Sequence, residues 1–293
     1  MEEHRVAHED DWTANPFLRF ARPGHFYSPI PDLEVVDRYR ETLFDRGVTD
    51  IPGIDLQVPL QLALLESFGA YQDEIPFSDG PTPGLRYQFD NPYFSYGDAV
   101  VLYSMLRHRQ PLRIVEVGSG FSSAVMLDTN ERFCDRRIRL AFIDPYPERL
   151  LSLLSEDDSA RHEVISDVVQ NVPMERFTSL GAGDVLFIDS SHVAKVGSDV
   201  VHLVTAVLPR LRKGVVIHFH DVFWPFEYPE TWIRGGRAWN EDYFLKAFLQ
   251  FNTSFKLLFF NSYIATHHAA AAERHLPLFM KNPGGGLWIE KTA

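Results

Sequence analysis

Val115-Glu116-Val117-Gly118-Ser119-Gly120-Phe121-Ser122-Ser123 is the stretch on which the fold turns. The β-branched run from Arg113 to Val117 predicts a buried strand. Gly118-Ser119-Gly120 predicts a tight turn, and Ser122 to Asp128 opens a helix. Glycines in such a turn let backbone approach a ligand and adopt φ > 0. The helix N-terminus that follows favours a negative ligand group, a carboxylate or a phosphate. A dinucleotide site would want a third glycine where Ser123 stands, since a pyrophosphate packs against that helix. Glu116 points the same way. A carboxylate two residues before the first glycine is unfavourable beside a pyrophosphate and favourable beside a cationic amino-acid ligand.

On either side of this stretch, strands alternate with helices. Asp98 is read as the N-cap of a helix reaching about His108. Leu140 to Ile143 is a second strand ending at Asp144-Pro145, Glu163 to Ile165 a third, Asp184 to Ile188 a fourth, and Gly214 to His218 a fifth. Helices are expected over Glu148–Ser155 and Lys195–Leu211. Asn240 to Phe251 reads as an amphipathic helix and His267 to Arg274 as a short Ala-rich one. Phe255 to Phe260 and Gly286 to Glu290 are sixth and seventh strands. Such alternation implies parallel pairing in a three-layer α/β domain. Residues 1–95 differ, with nine prolines between Pro16 and Pro83 that interrupt regular structure. They read as an N-terminal extension with two helices, roughly Leu33–Phe44 and Pro59–Ala70. The expected role is a structural cap or a contact between copies of the chain, with the remainder, 96–293, as the catalytic domain.

The Gly-rich stretch is similar to the first motif of the class I S-adenosylmethionine-dependent methyltransferases, and Asp144 follows Gly120 by 24 residues. The resemblance implies a Rossmann-like seven-stranded sheet whose last strand runs antiparallel. It implies S-adenosylmethionine as cofactor, with Asp144 on the ribose hydroxyls, Glu116 near the methionyl end and Asp167 near the adenine. Gly118, Ser119, Gly120, Ser122, Pro145 and Asp189 complete the candidate cofactor site. Two other readings stand beside it, a nicotinamide-dependent Rossmann oxidoreductase and a non-catalytic cofactor-binding module.

Parallel α/β sheets bind ligands beyond the carboxyl ends of their strands. There the chain carries Asp189-Ser190-Ser191-His192 and His218-Phe219-His220-Asp221. A sulfonium methyl is already activated, so the protein must align the acceptor and remove its proton. Histidine suits that task near neutral pH. His192, His220 and Asp221 are the catalytic candidates, while His218 reads as a core residue. Asp189, His220 and Asp221 are also candidate ligands for a divalent metal, a secondary reading. The Asp-Ser-Ser-His pattern resembles bacterial O-methyltransferase-like enzymes that bind magnesium, but His220 replaces one of their acids. The aromatic run Val222 to Trp239 reads as an acceptor lid or a core plug; with Ser191 it supplies the substrate-binding candidates Trp224, Tyr228 and Trp232.

Asn91-Pro92-Tyr93-Phe94 resembles the Asn-Pro-Pro-Tyr tetrad of amino-group methyltransferases, but it lies before the Gly-rich turn. The net charge of −12 disfavours nucleic acid and anionic membranes as partners. The single Cys134 cannot make an intramolecular disulfide. The polar start Met1-Glu2-Glu3-His4 has no apolar run, so no secretory leader and a cytoplasmic location are expected. The acceptor expected from all this is a small molecule, methylated through oxygen, such as a sugar or an aromatic compound.

Overall fold

The computed structural model describes residues 15–293; the start of the chain, read above for a leader, lies outside the described residues. The described residues divide into two compact units, 15–45 with 228–238, and 46–227 with 239–293. The boundary expected at residue 95 falls inside the larger unit. The physical reason is packing: in the helix Val58–Gly69, Phe68 meets Phe259 with ring centres 5.6 Å apart, and Gln61 accepts a hydrogen bond from the Phe260 backbone at 2.9 Å.

The larger unit is built on one seven-stranded sheet of order β3-β2-β1-β4-β5-β7-β6. The strands are β1 Arg113–Val117, β2 Arg139–Ile143, β3 Glu163–Ile165, β4 Val185–Ile188, β5 Val216–His220, β6 Phe255–Phe260 and β7 Gly286–Lys291. β1 to β5 pair in parallel, and β7 runs antiparallel between β5 and β6. This is the Rossmann-like methyltransferase sheet. Its central strands are buried on both faces, as continuous apolar runs such as Val185-Leu-Phe-Ile188 require. The order reverses between β1 and β4, which opens a crevice at their carboxyl ends. Among the described residues no helix is long and apolar enough to cross a membrane.

Several elements differ from the sequence reading. β5 begins at Val216 and includes His218 and His220, so both histidines lie within the strand. The helix expected over Lys195–Leu211 begins only at Asp199, where the Ser198 hydroxyl caps it by accepting from Val201. Gly197, at φ +73°, turns the chain just before. Residues 190–198 are thereby left as a loop at the crevice. Ser95, not Asp98, precedes the helix Tyr96–Arg109. Asp98 is its third residue, and its carboxylate turns inward to accept from Asn261 at 3.2 Å. The helix expected over Glu148–Ser155 splits into Glu148–Leu151 and Glu156–Arg161.

The smaller unit carries the helices Leu33–Arg38, Arg40–Leu43 and Glu230–Arg234. Tyr39 breaks what read as one helix. Glu230 accepts from both Arg40 and Arg234, each at 2.9 Å, and joins its two sequence segments.

Candidate active site

The turn after β1 is shaped by contact. Gly118 sits at φ +77°, and a Cβ there would lie 2.0 Å from the Asp189 carbonyl oxygen. Only glycine fits both the conformation and the space. The turn is pinned by Asp144, whose Oδ2 accepts from the Ser119 backbone at 2.9 Å and the Ser119 hydroxyl at 2.7 Å. Its Oδ1 accepts from the Tyr146 backbone at 2.8 Å.

Around these residues opens a cavity of about 510 Å³ at the carboxyl ends of β1, β2 and β4. Gly118, Ser119, Asp144, Pro145, Asp189 and Ser191 line it, as do Val168, Gln170 and Lys195. Six of the predicted cofactor and substrate residues therefore share one concavity. Ser191 belongs to it because its backbone N–H and hydroxyl both donate to Asp199, at 2.7 and 2.6 Å. Asp167 does not line it; its Oδ1 accepts from Val168 at 2.7 Å and Asn171 at 2.9 Å. Gly120 also lies outside the lining and packs against the Arg149 side chain.

Glu116 is fully buried, and its two oxygens accept from the hydroxyls of Ser122 at 2.5 Å and Ser123 at 2.6 Å. The expected cofactor residues Glu116 and Ser122 therefore bond to each other beneath the turn. Burial pushes the Glu116 carboxyl up to about 8, opposed by the two hydroxyls and reinforced by Asp189 and Asp144. The protonated form is thereby favoured at neutral pH relative to an exposed glutamate.

His192 is the centre of a second constellation. Its Nδ1 lies 2.8 Å from Glu241 Oε2. Its Nε2 faces Asp189 Oδ1 at 3.4 Å and Asp221 Oδ2 at 3.9 Å. Glu241 is 1% exposed and also accepts from the Ser190 hydroxyl. The backbones of Asn240 and Glu241 both donate to the His192 carbonyl, so the start of the helix Glu241–Leu249 clamps the loop. Trp239 covers the imidazole, ring centres 4.3 Å apart. His192 and Asp221 both hold left-handed backbone, φ 59° and 54°, a strain that persists where surrounding structure fixes it. Burial opposes protonation of His192, but the bonds to Asp189 and Glu241 overcome it and hold its pKa well above the usual value. Burial likewise works against a charged Asp189, yet His220 and His192 keep its carboxyl below the usual range.

Two buried acids near this constellation escaped the sequence reading. Glu241 stands 49 residues from His192, and no spacing rule joins them. Asp98 read as a helix cap, whereas burial pushes its carboxyl up to about 7, with His220 lowering it and Asp221 and Asp189 raising it. The glycines of Asn282-Pro-Gly-Gly-Gly286 were the available signal. A Cβ at Gly284 would overlap the Asp98 carboxylate, and one at Gly286 would lie 3.0 Å from His218 and Asn261.

The remaining candidates separate. His220 Nε2 lies 3.6 Å from Asp221 Oδ1. His218 is stacked between Phe187 and Trp288, at 4.2 and 4.4 Å between ring centres. Trp224 lies in the core, its indole N–H donating to the Val48 carbonyl and its ring edge-on to Tyr263. That packing corrects its assignment as an acceptor contact. Tyr228 and Trp232 belong to the smaller unit. Among the described residues no group of three or more His, Cys, Asp or Glu side chains is placed to hold a metal ion.

A family model described as a methyltransferase domain matches residues 115–222. A protein of Archaeoglobus fulgidus described as uncharacterized is 38% identical over 163 residues, 54% of this chain and 72% of its own length. Residues 115–222 are thus a methyltransferase domain, and the chain is of one family with the Archaeoglobus fulgidus protein. Among solved structures, one similar chain is a Podospora anserina methyltransferase bound to S-adenosylhomocysteine, 15% identical, TM-score 0.44, covering 89% of this chain and 96% of that one. Another is a Streptomyces achromogenes O-methyltransferase involved in tomaymycin synthesis, in complex with S-adenosylmethionine, 17% identical, TM-score 0.42, covering 88% and 96%.

Proposed function

We propose that this enzyme methylates a hydroxyl of a small molecule, with S-adenosylmethionine in the cavity beside Gly118 and Asp144 and with His192 as the general base. The observation that carries the reading is the place of Asp189. It lines the cofactor cavity, and its carboxylate faces His192 Nε2 at 3.4 Å. A methyl donor held in that cavity would share the Asp189 carboxylate with the imidazole.

With Nδ1–H donated to Glu241, the neutral tautomer leaves Nε2 as the acceptor of a proton from the substrate. A base must first be unprotonated, and His192 is biased toward its charged form by its two carboxylate partners. The sulfonium supplies the activated methyl and brings positive charge, which lowers the imidazole pKa by like-charge repulsion. The charge of −12 supports a small acceptor rather than a duplex.

The test is a panel of sugars, catechols and other hydroxyl compounds incubated with S-adenosylmethionine, with S-adenosylhomocysteine release measured. Turnover on one of them should vanish in His192→Ala while cofactor affinity stays within a factor of about two. Full turnover in His192→Ala would remove the histidine from the mechanism.

A further inference from the structure

At the opposite end of the sheet from the cofactor cavity lies a cleft of about 290 Å³, at the amino ends of β1, β2 and β3. Those two ends are separated by the length of the strands, about 15 Å at 3.3 Å per residue. The cleft has an unusual lining for so acidic a chain. Four arginines, Arg113, Arg139, Arg161 and Arg176, border it together with His162, against one acid, Glu163.

Two of the guanidinium groups are neutralised. Arg113 pairs with Asp184 at 2.7 Å, and Arg176 pairs with Glu163 at 2.7 Å. Neither Arg139 nor Arg161 forms an ion pair among the described residues. His162 adds a neutral donor. Its Nδ1 accepts from the Leu140 backbone N–H at 3.3 Å, which fixes the imidazole proton on Nε2. Burial lowers its pKa, and Arg139 and Arg161 add to that while Asp158 opposes, so the ring stays uncharged and keeps its Nε2–H. The aliphatic edge of the cleft, from Ile114, Leu140 and Leu180, limits solvation on one side.

Like charges gathered in one concavity repel, and an anion seated among them removes the repulsion. Guanidinium forks match the oxygens of phosphate better than any other surface group. We propose that this cleft is a second ligand site that binds a multivalent oxyanion, a phosphate or polyphosphate group of a small molecule, separately from the methyl-transfer cavity. The inference stands on the cleft alone and does not depend on the acceptor or the base assigned above.

Titration calorimetry with sodium pyrophosphate on the full chain tests it, at low salt and at 0.5 M NaCl. The variant Arg139→Glu/Arg161→Glu is compared after its thermal melt confirms folding. If that variant does not fold, Arg139→Gln/Arg161→Gln replaces it. Binding by the wild type, weakened by salt, at least tenfold weaker in the variant and unchanged by saturating S-adenosylhomocysteine, is the expected result. No binding at millimolar pyrophosphate, equal binding by the variant, or displacement by S-adenosylhomocysteine would overturn the assignment.

Discussion

Replacing Glu116 by Gln should stabilise this enzyme, and the gain should depend on pH. Glu116 is fully buried beneath the glycine turn, and burial lifts its carboxyl from 4.5 to about 8. A carboxyl whose folded pKa is raised costs nothing below its unfolded pKa. Stability is then lost as pH rises from 4.5 toward 8, and the loss levels off above that. At ~1.4 kcal/mol per unit, the cost reaches about 4 kcal/mol by pH 8 and stays under about 1 kcal/mol at pH 5. Glutamine keeps one acceptor for Ser122 and places an amide against Ser123, a rearrangement costing ~1 kcal/mol at either pH. The pH-dependent part of the gain is therefore about 3 kcal/mol, on the order of 6–10 °C in Tm. Circular dichroism melts of both proteins at pH 5 and pH 8 measure it. The gap should be near zero or slightly unfavourable at pH 5 and clearly favourable at pH 8. An equal gap at both values would show that Glu116 is charged when buried, and the electrostatic account of the turn would fail.

Glu241→Gln should move the His192 titration, followed by NMR of the imidazole, down toward the ordinary histidine value, because one of its two raising partners is lost; an unmoved titration would deny Glu241 its hold on the base. The same change should carry the alkaline-rising limb of the pH–rate profile to lower pH. Gly118→Ala, which meets the Asp189 carbonyl, should cost well over ~2 kcal/mol in urea unfolding. Gly183→Ala, at φ +85° with nothing nearby, should cost only the ~1–2 kcal/mol of the left-handed backbone, and equal losses would contradict the role of the contact.

The sheet was legible because its signals are local. β1, β3 and β6 lie where the β-branched and aromatic runs predicted, in the middle of the sheet and at both of its edges. β5 was placed two residues early, because Gly214 read as strand and the run was closed at His218, before Phe219 and His220. Histidines in a strand become apolar only once Phe187 and Trp288 sandwich one of them. The glycine turn, Asp144 and Asp189 were readable because chemistry at a strand end follows from position. Glu241 and Asp98 were not, because their meaning comes from tertiary contacts, and their residue types favour helix starts in any protein. The aromatic run stayed open between lid and core plug because its composition suits a ligand pocket and a core alike; at Trp224 the core reading holds, its indole donating to the Val48 carbonyl.

The central claim is that the cavity beside Gly118, Asp144 and Asp189 is the cofactor site. Titration calorimetry with S-adenosylhomocysteine, on the wild type and on Asp144→Ala, tests it most directly. Saturable binding by the wild type and at least tenfold weaker binding by folded Asp144→Ala is the predicted result. Absence of binding to folded wild-type protein at millimolar ligand, or undiminished binding by the variant, would contradict it.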